Sequence, residues 1–207
     1  MSANRPPSLL YFHQKGGTGK STLAMASSLA AAGAGLPTLL IDGDNQGTSS
    51  QWWSQWSQQW PELPMDVRGQ RLDTIPAFIQ QLSPAWKLCI IDAPPTLNKE
   101  LLEVMHHVDG LIIPTRPSPA DLWALEPLCA LLEGDPHLAH LTSRLVINQY
   151  DEEPLESITT MLPCQLEQSI APIAKSTALV EMFMGKPLPT PLTTALLELL
   201  SPWVSPS

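Results

Sequence analysis

The chain has 207 residues, 43% of them hydrophobic and only 15% charged, a composition that can bury a core and excludes a disordered segment. Its 20 acids outnumber its 11 Lys and Arg, for a formal charge of −9. That balance excludes a protein coated in basic charge for nucleic acid or anionic membrane, but not a small local patch.

The length fits one domain over 1–207, with residues 1–7 and 201–207 expected as flexible tails. No run approaches the ~18 consecutive apolar residues of a membrane span. The start, MSANRPPSLLYFHQ, has too short an apolar stretch for a signal peptide. Cys89, Cys129 and Cys164 are scattered, with no CxxC pair, so neither a disulfide framework nor a zinc site is expected. The five histidines show no metal-ligand spacing. These features point to a reduced, cytoplasmic, soluble protein.

Five short apolar runs bounded by polar or Gly/Pro residues read as strands: Leu9–His13, Thr38–Asp42, Lys87–Asp92, Gly110–Pro114 and Arg144–Asn148. Helical patterns lie near 20–33, 48–60, 73–83, 98–107, 119–133 and 192–200. Strands alternating with helices predict an α/β, doubly wound, mainly parallel sheet with helices on both faces. Such sheets bind ligands beyond the carboxyl ends of their strands. The polar motifs fall at those ends.

The first strand runs into Gln14-Lys15-Gly16-Gly17-Thr18-Gly19-Lys20-Ser21-Thr22, followed by an Ala-rich helix. Glycines let successive backbone N–H groups approach an anion. The free N–H groups and dipole of the new helix face the same place. Lys20 is placed to reach β- and γ-phosphates, and the Ser21 hydroxyl to ligate Mg²⁺. Gln14 stands where the strict phosphate-loop pattern has its first glycine.

The second strand ends in Asp42-Gly43-Asp44-Asn45-Gln46-Gly47, and the third in Asp92-Ala93-Pro94-Pro95. An apolar strand closing on an acid, as at Asp92, is the Walker B pattern that holds Mg²⁺. Asp44 has a plainer alternative, an Asx turn or a helix cap. Ser118, Pro119 and Asp121 read as N-cap, N1 and N3 of a helix, which explains much of that segment structurally. Trp52, Trp56 and Trp60 recur every four residues, so they share one helical face with Trp53 beside them. Two readings stay open for that face: core packing, or a surface that meets a partner or second subunit.

With Lys15 inside it, the loop K-G-G-x-G-K-[ST] resembles the deviant Walker A motif of the ParA/MinD family of dimerising P-loop ATPases. The resemblance spans roughly 8–190 and is nearest the small ParA-type partition and cargo-positioning proteins, including carboxysome-positioning relatives. It implies a cytoplasmic, nucleoid-associated ATPase that uses ATP and Mg²⁺. It implies catalytic roles for Lys15, Lys20 and Asp44, with Lys15 crossing to the nucleotide of a second subunit. Nucleotide contacts are expected from Lys15, Gly16, Gly17, Thr18, Gly19, Lys20, Ser21 and Thr22, and on the base side from Asn148. Metal contacts are expected from Ser21, Asp42 and Asp92. Asn45 replaces the proline usual in the family's D-x-D-P-Q switch.

The partners implied are a second copy in the ATP state, non-specific DNA through Arg144, Lys175 and Lys186, and a small ParB-like adaptor or cargo-linked activator. No membrane is expected, because residues 192–207 hold no Lys or Arg for a basic amphipathic anchor. The competing functions are a metabolic P-loop ligase of the dethiobiotin-synthetase type, against which Lys15 argues, and a nucleotide-dependent scaffold that does not hydrolyse ATP.

Overall fold

The structure, a computed structural model, describes residues 5–151, 155–163 and 170–204. The described strands are β1 (Ser8–Tyr11), β2 (Thr38–Asp42), β3 (Met65–Gly69), β4 (Leu88–Asp92), β5 (Gly110–Thr115), β6 (Thr142–Tyr150) and β7 (Ile170–Ala174). They form one seven-stranded sheet in the order β3-β2-β4-β1-β5-β6-β7. Every pairing is parallel. β1 lies at the centre, between β4 and β5. The fold is therefore the doubly wound α/β type that the alternation predicts.

Side chains of the central strands alternate between two cores, as the period of two in a strand requires. Leu10, Leu39, Ile41, Cys89 and Ile91 face one layer of helices. That layer holds α3 (Ile75–Gln80), α4 (Lys99–Met105), α5 (Pro119–Trp123) and α6 (Glu126–Gly134). Leu9, Tyr11, Leu40, Leu88 and Ile90 face the other. There lie α1 (Lys20–Gly33), α2 (Thr48–Trp56), α8 (Ala178–Met182) and α9 (Thr190–Leu200), while α7 (Leu155–Thr159) follows β6. Small residues such as Ala24, Ala30 and Ala31 are fully or almost fully buried, which brings α1 close to the sheet.

Several boundaries differ from the sequence reading. β3 carries Asp66 and Arg68, and β7 carries Pro172, so neither shows a clean apolar run. Both are edge strands, where a charge or a proline is tolerated because one side of the ladder is unpaired. The expected helix at 119–133 is two helices, α5 and α6, with Pro127 in the first turn of the second. The helix near 48–60 ends at Trp56 and tightens into a 3₁₀ turn over Ser57–Gln59.

Both expected tails carry residues that contact Asp109. Arg5 pairs with Asp109 at 2.6 Å, and the Trp203 indole donates to the Asp109 carbonyl at 3.3 Å. A Cβ on Gly110 would overlap that indole, so the glycine makes room for it. Residues 1–4 and 205–207 lie outside the described residues. Cys129 is disulfide-bonded, against the expectation from scattered spacing, while Cys89 is free and buried. Folding, not sequence proximity, decides which thiols meet. No helix among the described residues is long and apolar enough to cross a membrane.

The tryptophan face packs inward. Trp52 is 4% exposed and joins the core on the α1 side, with Trp53, Trp56 and Trp60 half-buried against the same cluster. Its ring centroid lies 6.0 Å from Trp53 and 5.8 Å from Trp60.

Candidate nucleotide site

The loop between β1 and α1 leaves the centre of the sheet, where strand connections part to either side and open a crevice. Gly17 has φ 78 and Gly19 φ 100, left-handed conformations that cost glycine least. Gly19 also touches Asn148 so closely that a Cβ would overlap its amide. The Asn148 Nδ2 donates to the Thr18 carbonyl at 3.0 Å, so the end of β6 clamps the loop. Asn148 thus lines the cleft on the side where the base is expected, while its amide is engaged by the protein. That cleft, about 500 Å³, is bounded by the loop glycines, Thr22, Lys175, Thr177 and Phe183.

Lys20 is nearly buried and its ammonium donates to the Lys15 carbonyl at 3.2 Å. Burial lowers its pKa, opposed by the nearby charges of Asp92 and Asp44. His13 is buried too, and its Nδ1 accepts the Lys15 N–H at 2.9 Å. Burial first, with repulsion from Lys20 and Lys15, pushes His13 down to about 4, so the ring is neutral and can accept that bond. No spacing in the sequence marks His13; only its place just past β1 does.

The acids converge because parallel strands end in register. Asp42 on β2 is the direct partner of Asp92 on β4, and Asp92 in turn partners Tyr11, just before the loop. Asp42 accepts the Ser50 N–H at 2.7 Å and the Asp44 N–H at 3.3 Å. Asp92 accepts the Ser49 hydroxyl at 2.8 Å through Oδ2, while Oδ1 is buried with no partner among the described residues. Burial raises its pKa to about 6 against the lowering bonds from Ser21 and Ser49. A buried carboxylate oxygen without a partner, beside the Ser21 hydroxyl, fits a hard divalent cation such as Mg²⁺. Mg²⁺ takes one or two protein oxygens and fills its remaining positions with phosphate and water. Among the described residues no group of three His, Cys, Asp or Glu could hold a metal on its own. Asp44 accepts the Gln46 N–H at 2.9 Å, the Asx turn its position also suggests.

Lys15 is the residue whose setting the sequence did not reveal. Its ammonium forms an ion pair with Asp121, whose side chain is 1% exposed. Arg116 binds the same carboxylate at 2.8 Å, and the Ser118 hydroxyl donates to it at 2.9 Å. Burial alone would raise the Asp121 pKa, but the bonds from Arg116, Lys15 and Ser118 outweigh it and hold it at about 2. Ser118 does cap α5, as its spacing predicts, and the same turn builds a buried anion for Lys15.

The three candidate DNA residues do not share one patch. Arg144 donates to the carbonyls of Glu198 and Leu199 and so caps the end of α9. Lys175 lines the same cleft as Asn148, at the other end of β6, roughly 20 Å along the strand. Lys186 pairs with Glu181 at 3.4 Å.

Known proteins resemble this chain over most of its length. A maintenance of carboxysome distribution protein A from Halothiobacillus neapolitanus is 26% identical over 175 residues, covering 84% of this chain and 79% of the relative. One of the same description from Gloeobacter kilaueensis is 33% identical over 127 residues, covering 60% of this chain and 56% of the relative. A plasmid partition protein from Borrelia burgdorferi, solved with AMPPNP, superposes with a TM-score of 0.76 at 15% identity, covering 95% of this chain and 98% of that one. At that identity the likeness concerns the fold alone. Residues 9–181 match the family model described as the CobQ/CobB/MinD/ParA nucleotide binding domain, and the chain belongs to that family.

Proposed function

We propose that this protein is a Mg²⁺-dependent ATPase of the ParA type that pairs with a second copy on binding ATP and positions a cargo, a protein organelle such as the carboxysome being the first choice. The observation that carries the reading is the additional lysine of the loop, Lys15, set beside a phosphate cradle, the strand-end acids Asp42 and Asp92, and Asp44 just past β2. The carboxysome preference rests on the two carboxysome-distribution relatives.

In this mechanism the backbone N–H groups of residues 16–22 and the start of α1 hold the phosphates. Lys20, turned over the loop by the Lys15 carbonyl, exchanges that bond for phosphate oxygens. Ser21 and Asp92 would hold Mg²⁺, with Asp42 alongside, and the metal would supply charge neutralisation at the phosphates. Asp44 orients the attacking water, releasing the Gln46 N–H as it turns. Lys15 leaves Asp121 and reaches the nucleotide of the second subunit. Arg116 and Ser118 stay on Asp121, so the carboxylate is not left bare. A cation supplied across the interface stabilises the transferring phosphoryl group as an arginine finger does.

DNA binding and stimulation by a small partner belong to the same proposal, with a cytoplasmic, nucleoid-associated location. Of the 11 basic residues, Arg5, Lys15, Arg68, Arg71, Arg116 and Lys186 are paired with carboxylates. One subunit therefore offers little free positive charge, and DNA affinity should depend on pairing two copies and fall with salt.

Two variants test the reading. Asp44→Ala should trap the ATP-bound dimer, seen as a persistent dimer by size-exclusion chromatography with turnover abolished. Lys15→Gln should lose ATP-dependent dimerisation and stimulated turnover. Wild-type behaviour of both variants in both assays would overturn the proposal.

A further inference from the structure

Ser49 was not marked by any motif, yet it is fully buried and its hydroxyl donates to Asp92 Oδ2 at 2.8 Å. The next residue, Ser50, gives its backbone N–H to Asp42 at 2.7 Å. The first turn of α2 thus grips both register-paired acids of the site with consecutive residues. One turn further along, the Trp52 indole donates to the Met182 carbonyl at 3.0 Å, across to the last residue of α8. α8 supplies Leu179 and Val180 to the base-side cleft. One short helix therefore touches the acids at one end and the base-side wall three residues later.

We propose that Ser49 is a positioning residue for Asp92, and that Trp52 ties the same helix to the base-side wall so that the cleft and the metal carboxylate are set together. The Ser49 hydroxyl fixes Oδ2 and so decides where the unpartnered Oδ1 points. Without it Asp92 keeps only the Ser21 hydroxyl as a side-chain partner, and its last torsion, whose well is broad, is held less tightly. Groups that orient a ligating carboxylate are worth roughly tenfold to a hundredfold in metal affinity. The Trp52 bond keeps α2 from sliding relative to α8. The inference rests on the reading of Asp92 as the magnesium-side acid.

The test measures equilibrium binding of a fluorescent ATP analogue to the full chain while Mg²⁺ is titrated, and binding of the same analogue in EDTA. Ser49→Ala should raise the Mg²⁺ midpoint roughly tenfold or more and leave the EDTA affinity unchanged. Ser49→Thr, which keeps the hydroxyl, should restore the midpoint. Trp52→Phe, which keeps an aromatic side chain, smaller than the indole, and loses the N–H, should shift the midpoint in the same direction. The double variant should shift it by less than the product of the single effects, as residues acting through one element do.

An unchanged midpoint in Ser49→Ala, with or without a lower melting temperature, makes Ser49 merely structural and overturns the proposal. Independent effects in the double variant overturn the link through α2. Asp92→Asn separates the two levels of the argument. If it too leaves the Mg²⁺ dependence intact, the assignment of Asp92 has failed; if it abolishes the dependence while Ser49→Ala does nothing, only the present inference has.

Discussion

Replacing Asp121 by asparagine keeps the size of the side chain and removes only its charge. The carboxylate is 1% exposed and held at about 2, against an ordinary value of 3.8. That gap corresponds to about 2 kcal/mol in favour of the ionised form in the folded chain. Because the folded value is the lower one, the stabilisation is complete above about pH 4 and is lost as the pH falls towards about 2. Asparagine still accepts a bond from Ser118, and Lys15 and Arg116, each 38% exposed, can turn to water. The cost near neutral pH should therefore stay at about 2 kcal/mol, or about 4–8 °C in melting temperature for a chain of this size. Circular dichroism melts of both proteins, run stepwise from near pH 7 to near pH 2, measure it. The two curves should converge at the acid end, and the neutral-pH difference should survive added salt because the carboxylate is buried. A difference below about 1 °C near neutral pH, or one that stays constant down to the acid end, refutes the argument that the ionised Asp121 anchors Lys15.

Two further outcomes follow from glycines that leave no room for a side chain. Gly19→Ala forces a side chain into φ 100 and into the Asn148 amide, so the loop should open and binding of a fluorescent ATP analogue should fall below detection in a direct titration. Gly110→Ala drives a methyl into the Trp203 indole and should destabilise the fold by about 1–3 kcal/mol in urea unfolding. Adding Trp203→Ala removes the overlap, so Gly110→Ala should cost little in that background; an equal cost in both backgrounds would show that the indole is not what fills the space.

The sequence by itself determined the architecture and the three motifs. Short apolar runs alternating with helical stretches dictate a parallel sheet covered on both faces, and β2 and β4 end where the expected runs end, while β1 stops at Tyr11, two residues short of the expected His13. Glycine spacing dictates the phosphate loop, because only that composition turns successive N–H groups inward at the start of a helix. The edges were less legible: β3 and β7 lack a two-sided burial pattern, so charge and proline hide them. What only the tertiary structure decided is which groups meet. Register between β2 and β4 sets Asp42 against Asp92, and crossover connections bring Asp121 under Lys15 and Ser49 onto Asp92. Those contacts join residues far apart in the chain, and no local periodicity encodes them. The same holds for the charge of −9: the sequence counts 11 basic residues, but only the fold shows how many are already paired within the subunit. Their geometry follows from packing whole elements, since a buried charge persists only where the fold brings it a partner.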